Sequence, residues 1–210
     1  MRRQPVQARS TARVQRMLEA AAQLINEVGY EELTTSLIAE RAKVSIGSLY
    51  QFFPDKRAIV QELYRRHMTE FLARVDELFR SGELTHWWDA VGGVVDIWVE
   101  MARETPAILR VGDAIDRHLL DPESENDEIL ANRLLALLGE RFGVPTEETL
   151  RIALLIAIAT GDELVKLAFR RDPNGDEAVL TQAKVMIHGY LAQSISGTRA
   201  SGTRALQEDR

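Results

Sequence analysis

Apolar residues recur at intervals of three and four along most of this chain. Val14, Leu18, Ala21, Ile25 and Val28 fall on one stripe with Gly29 directly after, which predicts a helix over 11–28 closed by a left-handed cap. The same spacing predicts further helices at about 35–42, 46–52, 55–81, 84–103, 106–112, 122–142, 147–171 and 176–195. Thr105-Pro106 and Asp121-Pro122 each pair a capping oxygen with a proline whose missing N–H costs nothing in a first turn. Thr146 precedes Glu147 and Glu148, whose charges favour a helix N-terminus. Period-two alternation and β-branched clusters between turn signals are missing, so the expected fold is all-α with about nine helices.

One short segment departs from this pattern of long helices. Between 34 and 53, Ile38, Ala39 and Ala42 give a short helix a single apolar edge, and Lys43-Val44-Ser45 forms a tight turn. Val44 plugs the angle between two helices, while the Ser45 hydroxyl caps a second one starting at Ile46. Leu49 and Phe53 face inward in that second helix. Its other edge presents Ser45, Gly47, Ser48 and Gln51 outward. This is the layout of a helix-turn-helix.

Charge changes the picture further. The chain carries a net charge of −6, which alone argues against a nucleic-acid partner, yet the residues up to His67 hold eleven basic against seven acidic side chains. The remainder holds fifteen against twenty-five, so a basic N-terminal module precedes an acidic body. Phosphate neutralisation needs Lys and Arg only where a duplex lies. The chain has no cysteine, which excludes a disulfide scaffold and thiolate zinc sites, and its apolar runs are far shorter than a membrane span. No apolar stretch of signal-peptide length follows the opening Met-Arg-Arg, so a cytoplasmic location is expected. Residues 1–10 read as a flexible basic arm and 196–210, with Ser-Gly-Thr-Arg-Ala twice in tandem, as a disordered tail.

With these residues in view, the run from Arg13 to His67 resembles the DNA-binding domain of the tetracycline-repressor (TetR) family. Gly29-Tyr30-Glu31 is similar to the family's Gly-aromatic junction, Thr34 to its capping threonine, and Ile38-Ala39-Glu40-Arg41-Ala42 to its second helix. Val44-Ser45-Ile46-Gly47-Ser48-Leu49-Tyr50 and Phe53-Pro54-Asp55-Lys56 complete the signature. Three positions depart from it. Lys43 stands where glycine is frequent, Leu37 replaces a frequent acidic residue, and Ile46 replaces a frequent lysine and puts an apolar side chain near the groove. The resemblance implies a DNA-binding domain over 11–55 and a helical effector-binding and dimerisation domain over 56–195. It implies Thr34 or Thr35 on phosphate, Ser45, Gly47 and Ser48 near the groove, Tyr50 and Gln51 on DNA, and Lys56 on phosphate. Gln pairs bidentately with adenine, and a glycine permits close approach.

The same resemblance implies a homodimer through the last two helices, whose apolar surplus needs a partner; the candidate interface residues are Leu154, Ile158, Gly161, Val165, Ala183, Ile187 and Tyr190. In the body, Trp87, Trp98, Met101, Glu100 and His118 are the candidate lining of a small-molecule site, aromatic walls with a few polar groups. Asp96 and Glu100 lie one turn apart beside them. The rival reading is a helical-bundle metalloenzyme, but Glu83-Leu-Thr-His86 is a single copy of a motif that a two-metal bundle needs twice. Walker, dinucleotide, Gly-x-Ser-x-Gly and His-Glu-x-x-His motifs are all missing. The expectation is therefore a ligand-responsive repressor on double-stranded DNA, with no enzymatic activity, metal, cofactor or membrane partner. An activator or an effector-independent DNA-binding protein of the same fold is the alternative.

Overall fold

The computed structural model describes residues 4–111 and 125–208, with side chains described over 10–111 and 125–196. Among these residues there are eight α-helices, one 3-10 helix and no strand. In order they are α1 (Gln4–Val28), α2 (Thr35–Arg41), α3 (Ile46–Tyr50), α4 (Lys56–Arg80), α5 (Trp87–Glu104), the 3-10 helix Pro106–Arg110, α6 (Asn126–Phe142), α7 (Glu148–Arg171) and α8 (Glu177–Glu208). The first and last helices run further than the expected elements. The arm is helical from Gln4 and the tail is helical to Glu208. Extending an existing helix adds one hydrogen bond per residue fixed and avoids the cost of nucleation, so polar ends that would not start a helix can continue one.

The chain divides into two compact units: residues up to Glu70 with the segment that starts at Glu104, and Phe71–Arg103 with the C-terminal helices. The first unit is larger than the 11–55 domain expected. In it, Met17, Leu18, Ala21, Leu24 and Ile25 of α1 meet Ile38, Ala39 and Ala42 near α2, Leu49 and Phe53 around α3, and Ile59 and Val60 of α4. Ala107 and Val111, at and just after the 3-10 helix, join the same core, and the Arg110 guanidinium donates to the Asn26 carbonyl at 3.0 Å.

Local chemistry fixes the angle of the short helices. The Thr34 hydroxyl accepts from the Leu37 amide at 3.2 Å and the Ser45 hydroxyl from the Ser48 amide at 3.1 Å, each satisfying an orphan donor of a first turn. Leu37 at the third helical position removes only the reciprocal half of a capping box. Lys43 takes φ +54° in the turn, the left-handed conformation in which a glycine would be less strained. Arg41 bridges α2 to α1 through a two-pronged pair with Glu27 at 2.7 and 2.8 Å.

In the second unit, α7 and α8 form an antiparallel pair. Leu150, Leu154, Ala157, Val165 and Ala168 of α7 are buried, as are Leu180, Ala183, Ile187, Leu191 and Ile195 of α8. Gly161 lets the Ile187 side chain approach to 3.3 Å of where a Cβ would be. Gly93 of α5 is closer still to α4, because a Cβ there would fall 2.6 Å from Leu78 Cδ2. Polar clasps join α6 to α4 and the turn after it: Asp76 with Arg133 at 2.6 Å, and Arg141 with the Phe79 and Ser81 carbonyls. In the first turn of α5, the Asp89 carboxylate accepts from the His86 and Thr85 amides and the Thr85 hydroxyl, and these bonds hold its carboxyl below the ordinary value.

Candidate nucleic-acid interface

Leu49 is fully buried and Phe53 nearly so, which bolts α3 onto the core and leaves its opposite edge free. Gly47 and Gln51 are exposed on that edge, while Ile46, one turn before Leu49, is 42 % exposed and Tyr50 53 % exposed. The Tyr50 hydroxyl lies 3.0 Å from Thr35 Oγ1, so the last turn of α3 is tied to the first turn of α2. Two hydroxyls sharing one hydrogen bond retain one further O–H to donate. Ser45 also keeps its O–H after accepting at the cap. A Cβ built on Gly47 would meet nothing within 4 Å.

Two residues expected to face DNA have other engagements. The Ser48 hydroxyl is buried within the unit without a hydrogen-bond partner, so the side chain points inward from the edge its sequence position suggested. Lys56 Nζ donates to the Tyr30 and Glu31 carbonyls at 3.0 Å each and sits 4.6 Å from the centre of the Tyr30 ring. These carbonyls lie just beyond the C-terminus of α1, where acceptors lack helical partners. The ammonium therefore clamps the α1–α2 junction and has one N–H left. The family resemblance marked Lys56 as a phosphate contact; its structural role depends on a loop 25 residues away, which spacing cannot reveal.

The expected ligand residues do not converge. Trp87 stacks on His188 of α8 at 5.2 Å, with Trp88 edge-on to the same ring at 4.9 Å, whereas Trp98 packs edge-on against Phe71 at 5.2 Å. Met101 is buried, Glu100 is exposed, and His118 lies outside the described residues. The expected dimer residues divide similarly. Leu154, Gly161, Val165, Ala183 and Ile187 are buried within the chain itself, in α7–α8 packing, Ile158 is half-buried, and only Tyr190 is exposed. The apolar rows left outward are Ile152, Ile156 and Leu167 on α7, and Val185 and Met186 beside exposed Gly189 on α8. A Cβ on Gly189 would also meet nothing within 4 Å. Among the described residues no helix is long and apolar enough to cross a membrane, and no three metal-capable side chains cluster.

Comparison with known proteins gives matches in both units. Residues 17–63 match the family described as bacterial regulatory proteins, tetR family, and residues 85–195 match the tetracyclin repressor-like C-terminal domain. A TetR-family transcriptional regulator from Streptomyces coelicolor is 35% identical in a structural match covering 87% of this chain and 99% of that one, with a TM-score of 0.67. The FadR regulator of Bacillus subtilis, solved with stearoyl-CoA, matches at TM-score 0.62 and 22% identity over 87% of this chain and 98% of that one, a likeness of fold. The fatty acid metabolism regulator protein of Bacillus subtilis strain 168 is 34% identical over 61 residues, 29% of this chain and 31% of that protein. The chain thus matches that curated relative over about a third of its length.

Proposed function

The chain belongs to the tetR family of bacterial regulatory proteins, and on that premise we propose that it is a ligand-responsive transcriptional repressor that binds a two-fold symmetric operator as a homodimer. The observation that carries this reading is Gly47. A glycine inside a helix costs about 0.5–1 kcal/mol relative to alanine, and neither a positive φ nor a neighbouring atom accounts for this one. Contact with something outside the chain explains it, since a bare backbone can approach phosphate or a groove wall closely. Around it, Gln51 reads adenine, the Thr35–Tyr50 hydroxyl pair and Ser45 donate to phosphate, Thr34 orients α2, and the α3 backbone at Gly47 and Ser48 lies against the duplex. Lys56 supplies charge and its remaining N–H. The protein works by binding and not by catalysis, and it acts in the cytoplasm on double-stranded DNA.

Dimerisation through the outward rows of α7 and α8 sets two α3 helices at a fixed spacing. An effector enters the second unit against Trp98 and Met101, and release follows from a change in that spacing. The signal has two covalent routes, α4, which runs from one unit into the other, and the chain from α5 into the 3-10 helix. Selection from random duplexes tests the reading. A symmetric site bound by two chains is expected, and compounds that release it would identify the effector. Failure to enrich any sequence would remove the repressor reading.

A further inference from the structure

We infer that Ile46 is a selectivity residue that reads the 5-methyl group of a thymine in the operator. The inference rests on the DNA-binding reading and deepens it. The residues from Ile46 to Gln51 differ sharply in what they offer a base. Gly47 has no side chain, the Ser48 hydroxyl is buried, Leu49 is fully buried, and the Tyr50 hydroxyl is tied to Thr35. Ile46 and Gln51 remain. Gln51 can exchange hydrogen bonds, while the Ile46 side chain is apolar, branched, stiff about its first bond and 42 % exposed. Single exposed apolar residues are ordinary on a protein surface. This one stands in the first turn of α3 next to Gly47, where an added Cβ would meet no atom of the chain. It also sits in a module with a net positive charge, suited to a polyanion. The apolar group displayed in the major groove is the thymine methyl, so an isoleucine facing base edges has that group as its partner.

The test uses the full chain and a selected operator in which each thymine of the half-site is replaced in turn by deoxyuridine, which deletes the methyl and keeps every hydrogen-bonding group. At one position per half-site, wild-type affinity should fall about fourfold, the worth of one methyl group removed from water. Ile46→Ala should bind the two duplexes equally at that position and keep the wild-type salt dependence, while Ile46→Val should retain most of the discrimination. If no thymine is sensitive, or if Ile46→Ala discriminates as the wild type does, Ile46 does not read the methyl although the protein binds its operator. If wild type enriches no sequence at all, the DNA-binding reading itself fails.

Discussion

Lys56 illustrates how one residue can hold the fold and meet a ligand. With two of its N–H groups on the Tyr30 and Glu31 carbonyls and its charge over the Tyr30 ring, its removal affects the reading head before any DNA arrives. We expect Lys56→Ala to lower stability by about 1.5–2 kcal/mol, the lower end of the range for hydrogen bonds from a charged donor, as suits a half-buried site. It should also weaken all DNA sequences alike and flatten the salt slope, whereas Gln51→Ala relaxes base preference at one position per half-site. Thermal melts and salt-dependent titrations separate the two effects, and an unchanged melting temperature in Lys56→Ala would deny the clamp. Much at this scale was legible in the sequence. Capping by Ser45, the tight turn at Lys43 and the inward Leu49 and Phe53 are local properties, set by neighbours within four residues. The Ser48 hydroxyl and the Lys56 clamp depend on how distant segments meet, and local spacing carries no record of that.

Among the elements, α7 and α8 show where a sequence pattern becomes ambiguous. Both helices carry apolar residues on more than one face, so periodicity announces a buried helix without saying which face meets the same chain. Leu154, Val165, Ala183 and Ile187 line the internal face, and Ile152, Ile156, Val185 and Met186 the outer one. The two faces predict different failures. Ile156→Asp places a charge on the outer row and should give a folded monomer, seen as halved mass in sedimentation with helix content retained. Ile187→Asp places it inside the α7–α8 pair with no partner and should cost about 3–5 kcal/mol, destabilising the second unit. A dimeric Ile156→Asp as stable as the wild type would move the interface elsewhere. Gly189 fits the outer row, since the space beside it suits a helix crossing at close range.

For the whole molecule, the 3-10 helix changes the account of control. Besides α4, the chain after α5 reaches the N-terminal unit: Ala107 and Val111 lie in its core and Arg110 holds the last turn of α1 through Asn26. Sequence patterning marked a helical turn at 106–112 without assigning it to that core, because five residues have too little periodicity to identify a partner. Allosteric coupling between effector and operator is commonly worth about 1–3 kcal/mol, a 5- to 150-fold change in affinity. Arg110→Ala should leave effector-free operator binding close to wild type and reduce the effector-induced loss several-fold, measured by operator titration with and without a releasing compound. Coupling unchanged in that variant would leave α4 as the transmitter.

The central claim is that the open edge of α3 is shaped for DNA, and Gly47 tests it most directly because fold and function there make opposite demands. Replacing it with alanine removes a helix penalty of about 0.5–1 kcal/mol and meets no atom of the chain, so the melting temperature should rise by about 1–4 °C. The added methyl group would keep the backbone from its closest approach, and loss of one hydrogen bond to a charged phosphate lowers operator affinity by about tenfold or more. The decisive measurement is a paired thermal melt and operator titration of wild type and Gly47→Ala. A more stable protein that binds its operator more weakly is the expected result, and a more stable protein that binds with wild-type affinity would contradict the account.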